Sequence, residues 1–199
     1  MFDLQPHTNI GGELTTALSD SRKYGSPRKI ENVIWDTDNN ICGSIAVKYS
    51  DLIFICCASV VLPEGHTTRI RYDFSVGVSS ELFGDTVLRI ISERVSRFIG
   101  WYIHLKSVLP SENYVAQAEL VYTLWRRLSE SQSVSFEFRK ADGSIRKANG
   151  TLLDVSKYIK GTSLSGSSGE PNFGVVKYYD LDSRGFRSFK PENLIGVVE

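Results

Sequence analysis

Strict alternation of apolar and polar residues through Val134-Ser135-Phe136-Glu137-Phe138-Arg139 is the feature that most narrows what this chain can become. A period of two puts Val134, Phe136 and Phe138 on one face of an extended strand and the polar residues on the other, an arrangement no helix produces. Such a strand needs a partner, and Ala141-Asp142-Gly143-Ser144 supplies the turn, because Asp and Gly accept positive φ cheaply. The chain is therefore predicted to return through Ile145 to Leu152. A second hairpin follows from the β-branched and aromatic run Val175-Val176-Lys177-Tyr178-Tyr179, the turn Asp182-Ser183-Arg184-Gly185 and a return strand from Phe186 to Phe189. Pro191-Glu192-Asn193 then leaves room for one helical turn before the apolar Leu194 to Val198. Five short strands with a helical turn before the last predict a small closed β-barrel over residues 131–199.

The second hairpin also carries the pattern richest in chemistry. Arg184, Arg187 and Lys190 stand beside Phe186 and Phe189. Alternation sets Phe186 and Ser188 on one face of the return strand and Arg187 and Phe189 on the other, so one phenylalanine is expected in the core and the second at the rim. A rim aromatic next to arginine can stack a base, at about 1–3 kcal/mol each, while the cation neutralises phosphate. Arg146 and Lys147, with Lys140, extend the positive strip along the first hairpin, and Asp142, Asp180 and Asp182 interrupt it. The plain alternative is a solvated barrel surface.

At this level of detail the segment resembles a known family. The run Val134 to Gly143, joined to Tyr178-Tyr179-Asp180 and to Phe186-Arg187-Ser188-Phe189-Lys190-Pro191-Glu192-Asn193-Leu194-Ile195, resembles the WYL domain, in its short, Sm-like SH3-barrel branch met in phages and mobile elements. The Trp-Tyr-Leu tripeptide that gives the family its name is absent. The resemblance implies an SH3-like barrel whose basic residues bind nucleic acid or a nucleotide ligand and regulate an attached module. Carried over by position, it points to Arg187, Phe189 and Lys190, and more loosely to Arg146. It also implies a phage or mobile-element origin.

Upstream, the pattern changes twice. Met1 to Arg28, rich in Ser, Thr, Gly and Asp and ending in Gly25-Ser26-Pro27, reads as an irregular N-terminal arm. Ile30 to Trp35, Ile41 to Tyr49, Leu52 to Leu62 and Thr68 to Val76 read as strands, separated by turns at Asp36 to Asn40 and Pro63 to His66, which gives a three- or four-stranded antiparallel meander. Leu88, Ile91, Val95, Phe98, Tyr102 and Leu105 then recur at spacings of three and four, with Asp85 placed to cap the helix. After Pro110 a second helix, capped by Ser111, presents Val115, Ala118, Tyr122 and Trp125, widened by Leu120, Leu124 and Leu128. Both stripes are expected to pack on the preceding sheet. The fold class is thus α+β: an arm (1–28), a sheet-plus-two-helix domain (29–130) and the barrel domain (131–199), with Leu128 to Ser133 as linker.

Composition excludes several classes of function. Twenty-three Lys and Arg balance twenty-three Asp and Glu, so the chain exerts no general pull on nucleic acid or an anionic membrane and any such binding must be local. No eighteen-residue apolar run and no leader pattern is present, which predicts a soluble, cytoplasmic protein with no membrane partner. Cys42, Cys56 and Cys57 are odd in number and two are adjacent, so they read as reduced thiols rather than disulfides. Asp36, Asp38 and Asn40 imitate the start of a calcium loop, yet Ile41 and Val47 stand where Gly and Glu are required. His7, His66 and His104 have no ligand spacing with the cysteines, so no metal and no cofactor is expected. The Gly161 to Gly169 segment lacks the following Lys-Ser or Lys-Thr of a phosphate loop and reads as a long connection. No nucleophile with a base and no paired carboxylates appear, so the chain is expected not to be an enzyme.

Two functions of different class survive. One is a regulatory accessory factor that binds nucleic acid or a nucleotide through the barrel. The other is a protein-interaction module, an inhibitor or adaptor of a host enzyme such as an anti-defence protein, anchored by Trp35, Trp101 or Trp125. Self-association through the aromatic-rich helices is a third expectation.

Overall fold

A computed structural model of the chain describes residues 10–24, 28–50, 53–75, 83–110, 113–155 and 172–198. The elements in order are α1 (Ile10–Tyr24), β1 (Arg28–Asp36), β2 (Ile41–Ser50), β3 (Ile53–Val61), β4 (Thr67–Ser75), α2 (Phe83–Val108), α3 (Tyr114–Glu130), β5 (Val134–Arg139), β6 (Ile145–Thr151), β7 (Val176–Asp180), β8 (Gly185–Phe189), a 3-10 helix (Pro191–Asn193) and β9 (Leu194–Val198). The chain divides into two compact units, Met1–Arg97 and Phe98–Glu199.

The first unit is built on an antiparallel sheet of order β1-β2-β3-β4. Its period-two pattern is clearest in β3, where Phe54, Cys56, Ala58 and Val60 are buried and the residues between them are partly exposed. The β2–β3 and β3–β4 ladders run without a register shift, from Cys42↔Val61 to Ser50↔Ile53 and from Ile53↔Ser75 to Val61↔Thr67. Gly43 is required in β2, because a Cβ there would collide with the carbonyl oxygen of Ser59. The turn after β1 closes on Asp36, whose carboxylate accepts from Asn39 N and Nδ2, both at 2.9 Å, with Asn40 at φ 54°.

Residues 10–24, expected to be part of an irregular arm, form helix α1. Leu14, Ala17 and Leu18 fall on one side at spacings of three and four, are buried, and pack on β1 and β2. The small size of that stripe, set among Ser, Thr and Gly, hid it in the sequence.

The second unit holds an antiparallel sheet of order β8-β7-β6-β5-β9. All five strands, both hairpin turns and the helical turn before the last strand stand where the alternation placed them, with Gly143 at φ 83° and Arg184 at φ 53° in the turns. The expected closure of the barrel does not occur: β8 and β9 are the two edges and do not pair with each other among the described residues. Only Lys190 and the 3-10 helix connect them, and that turn delivers β9 to the free edge of β5, with a register shift between Glu137 and Phe138. The core is aromatic. Phe138 stacks on Phe189 at 4.4 Å, and Phe136 meets Tyr178 edge-on at 4.9 Å.

Helix α3 corrects a second expectation. Its buried side, Ala118, Val121, Tyr122, Leu124 and Leu128, is covered by β5, β6, β7, β9 and the 3-10 helix. One backbone and one side-chain donor fix that docking: Leu152 N donates to Leu128 O at 2.7 Å, and the Thr151 hydroxyl Oγ1 to Ser131 O at 2.8 Å. The part of α2 from Phe98 onward joins α3 through aromatic pairs, Phe98 with Tyr122, Trp101 with Trp125 and Tyr102 with Tyr114. Ser111 and Glu112, read as the start of α3, lie outside the described residues, as does the Gly161 to Gly169 segment.

Candidate ligand-binding site

The basic and aromatic residues singled out above separate into three places on the second unit. On β7, alternation carries Val176, Tyr178 and Asp180 to the inner face. Asp180 is fully buried there and gathers two of the expected cations. Its Oδ2 lies 2.6 Å from Arg146 Nη2 and 3.3 Å from Arg187 Nε, while its Oδ1 accepts from Ser183 N at 2.8 Å and Asp182 N at 3.1 Å. Arg187 Nε also donates to Ser183 Oγ at 2.8 Å.

Burial is the largest influence on Asp180 and pushes its pKa up. The hydrogen bonds from Ser183 and the charges of Arg146 and Arg187 together outweigh it, so the carboxyl sits below its ordinary value and stays ionised. Burial raises Tyr178 to about 12, with Arg146 opposing, so its hydroxyl remains a neutral donor facing Asp180 at 3.5 Å. Arg146 and Arg187 are thereby fixed by a buried carboxylate. Asp180 closes the β7–β8 turn through the amides of Asp182 and Ser183, and the two arginines neutralise it from β6 and β8.

The second place is an open groove of about 910 Å³ between the β5–β6 turn and the end of β8 with the 3-10 helix. Phe138, Val175 and Phe189 form its apolar lining, and Arg139, Lys140 and Lys190 bring three cations to it against the carboxylates of Asp142 and Glu192. The cations are held only by surface contacts. Arg139 Nη1 donates to Gly143 O at 3.0 Å, Lys140 Nζ lies 3.6 Å from Asp142, and Lys190 Nζ lies 3.9 Å from Glu192. Exposed pairs of this kind contribute about 0–1 kcal/mol, so an incoming anion can displace them.

The remaining residues face elsewhere. Phe186 is 52% exposed and meets Tyr179 edge-on at 5.5 Å, on the side of β8 opposite Arg187 and Phe189. Lys147 pairs across the ladder with Glu137 at 3.2 Å, and Arg184 lies exposed in the β7–β8 turn. Of the two phenylalanines, Phe189 is the buried one and Phe186 the rim residue. The groove therefore unites Phe189 and Lys190 with Arg139, Lys140 and Asn193, whereas Arg146 and Arg187 belong to the Asp180 cluster. Asp180 was legible only as a break in a positive strip; its inward parity on β7 was the signal that marked it as the centre of an ion pair.

Elsewhere, the three cysteines are free thiols: Cys42 exposed, Cys57 partly exposed and Cys56 buried. Burial, reinforced by Cys57, drives Cys56 up to about 12. Among the described residues no three His, Cys, Asp or Glu side chains cluster to hold a metal ion, and no helix is long and apolar enough to cross a membrane. No curated protein and no solved structure matches the chain. Residues 121–195, which run from the second half of α3 into β9 and enclose both the groove and the Asp180 cluster, match the family model WYL_2, Sm-like SH3 beta-barrel fold.

Proposed function

We propose that the protein is a non-enzymatic regulatory factor whose C-terminal sheet domain binds a phosphate-bearing ligand, nucleic acid or a nucleotide, in the cytoplasm. The observation that carries this reading is the groove, where Arg139, Lys140 and Lys190 converge over an apolar lining and are restrained only by Gly143 O, exposed Asp142 and half-buried Glu192. A domain of the WYL type supports a binding or regulatory role. In a chain of zero net charge, a local cluster of cations is what phosphate recognition requires. Phe138 and Phe189 are too deeply buried to stack a base, so the groove favours contacts to phosphate over contacts to the base. Titration of the full chain with RNA, single- and double-stranded DNA and cyclic nucleotides at several salt concentrations tests the reading. Affinity for one of them that falls as salt rises is expected, and the absence of salt-dependent association with all of them refutes it.

A second reading is favoured by a separate observation. The open edges β8 and β9 carry exposed Phe186, Ile195 and Val198, an arrangement that suits strand addition by a partner protein, as an inhibitor or adaptor would use. Retention of a lysate protein after nuclease treatment, lost on Phe186→Ser, would favour this alternative.

A further inference from the structure

At the end of the groove formed by Lys190 and Glu192, two polar atoms face each other and neither has a hydrogen-bond partner. His104 Nε2, on α2, lies 3.8 Å from Glu192 Oε2, and both atoms are shielded from water. The gap is too long for a direct hydrogen bond. The other carboxylate oxygen, Oε1, is 3.9 Å from Lys190 Nζ. Glu192 therefore stands between an imidazole and an ammonium group, in reach of both and bonded to neither.

Its backbone is not free to adjust. Gln117 Nε2, from α3, donates to Pro191 O at 2.8 Å and to Leu194 O at 2.9 Å, bracketing the 3-10 helix, and Asn193 N donates to Lys190 O at 2.9 Å. Only the side-chain torsions of Glu192 remain adjustable. Among the described residues, the charged groups facing His104 are Glu192 on the 3-10 helix and, beyond it, Lys190; Lys106 lies two residues along its own helix. The Lys106 ammonium turns instead to Tyr102 Oη at 3.1 Å and to the rings of Tyr102 and Tyr114. On the segment before β7, the described neighbour is Gly174, which is uncharged.

We propose that His104 is a proton-operated switch on the groove, an inference that rests on the anion-binding reading above and supplies its regulation. With His104 neutral, the charge of Glu192 is answered by Lys190 and cancels one of the groove's cations. With His104 protonated, the imidazolium donates to Oε2, Glu192 turns toward α2, and the Lys190 ammonium becomes available to phosphate. Histidine is the side chain that ordinarily changes charge between about pH 5 and 8, so anion affinity rises as pH falls through that range. Glu192 acts here as a positioning residue.

The test uses the full chain and a labelled oligodeoxythymidine of about twelve nucleotides, with binding followed by anisotropy from about pH 8 to about pH 5.5 at constant ionic strength. Wild-type affinity should increase about 3–10-fold on acidification, the effect of one added local charge, and His104→Gln should abolish the increase. Glu192→Gln should bind more tightly than wild type at the alkaline end and show no further gain. A second readout needs no ligand: the amide resonances of Glu192 and Asn193 should move with pH in the wild type and stay still in His104→Gln. Equal pH dependence in wild type and His104→Gln, or Glu192 and Asn193 resonances indifferent to His104, would overturn the switch. Resonances that follow His104 in a chain that binds no oligonucleotide would support the switch while removing the binding reading.

Discussion

Replacing Asp180 by Asn tests how the second unit is held together. The carboxylate is fully buried and answers two guanidiniums, at 2.6 and 3.3 Å, and two backbone amides. Asn keeps the shape and one acceptor for the amides of Asp182 and Ser183, but it removes the charge and turns N–H donors toward Arg146 or Tyr178. Breaking a wholly buried pair at one end costs about 3–5 kcal/mol. Here the side chains of Arg146 and Arg187 are 29% and 45% exposed and can recover water, so the expected loss is about 2 kcal/mol, and nearer 3 for Asp180→Ala, which also orphans two amides. For a unit of this size, 2 kcal/mol lowers the melting temperature by about 8–16 °C.

The assay is urea unfolding followed by tryptophan emission in a Trp35→Phe background, which leaves Trp101 and Trp125 of the second unit as reporters. That background change deletes a buried indole N–H that has no partner. The pH dependence carries a definite sign. Because the folded pKa of Asp180 lies below the unfolded value, its stabilisation is fully present above the ordinary aspartate range and is lost as pH falls through the lower folded value. Asp180→Asn should therefore flatten the acid limb of the wild-type profile below about pH 4. A loss under about 0.5 kcal/mol, typical of an uninvolved surface site, or an unchanged acid limb, would refute the assignment of Asp180 as the organising charge.

Further expectations follow from other parts of the molecule. Lys140→Gln and Lys190→Gln should each leave stability within about 0.5 kcal/mol of wild type, since both side chains are exposed. If each touches phosphate, each should lower the slope of log affinity against log salt by about 1, as read from titrations at four salt concentrations. With a thiol reagent at mildly alkaline pH, exposed Cys42 should react first. Cys57, raised chiefly by burial, should lag, and Cys56, pushed to about 12, should react only on unfolding, as mass spectrometry of timed samples will show. Gly150→Ala places a Cβ 2.6 Å from a ring carbon of Tyr178 and should cost about 1–3 kcal/mol in the same urea assay. Gly43→Ala meets backbone rather than a side chain and should prevent the β2–β3 ladder from forming, read as lost amide protection in hydrogen exchange.

The strands were legible because their signals are local. A period of two at Val134 to Arg139, an Asp-Gly turn at Asp142-Gly143 and a proline stop at Pro191 each act within a few residues, and the elements formed there. What covers each stripe is a long-range choice. Leu128 and Ala118 of α3 carry an apolar pattern that any sheet could satisfy, and the partner was decided by backbone contacts such as Leu152 to Leu128 that no periodicity reveals. Barrel closure failed as an expectation for the same reason: a count of strands does not say whether the last finds β8 or β5. Within the site, alternation correctly separated Phe186 from Phe189, yet charge alone could not distinguish Arg187, tied to a buried carboxylate, from Lys190, left at the groove. Helix α1 was missed because three small or medium apolar residues among Ser, Thr and Gly give a weak stripe.

The central claim is that phosphate is bound between the β5–β6 turn and the end of β8. Amide chemical-shift mapping of the isotopically labelled chain, titrated with an oligonucleotide at low salt, addresses it most directly. Perturbations concentrated at Arg139 to Gly143 and Ser188 to Asn193, and reversed by added salt, are the expected result. Shifts confined to β1 to β4, or a spectrum unchanged at saturating oligonucleotide, would contradict it.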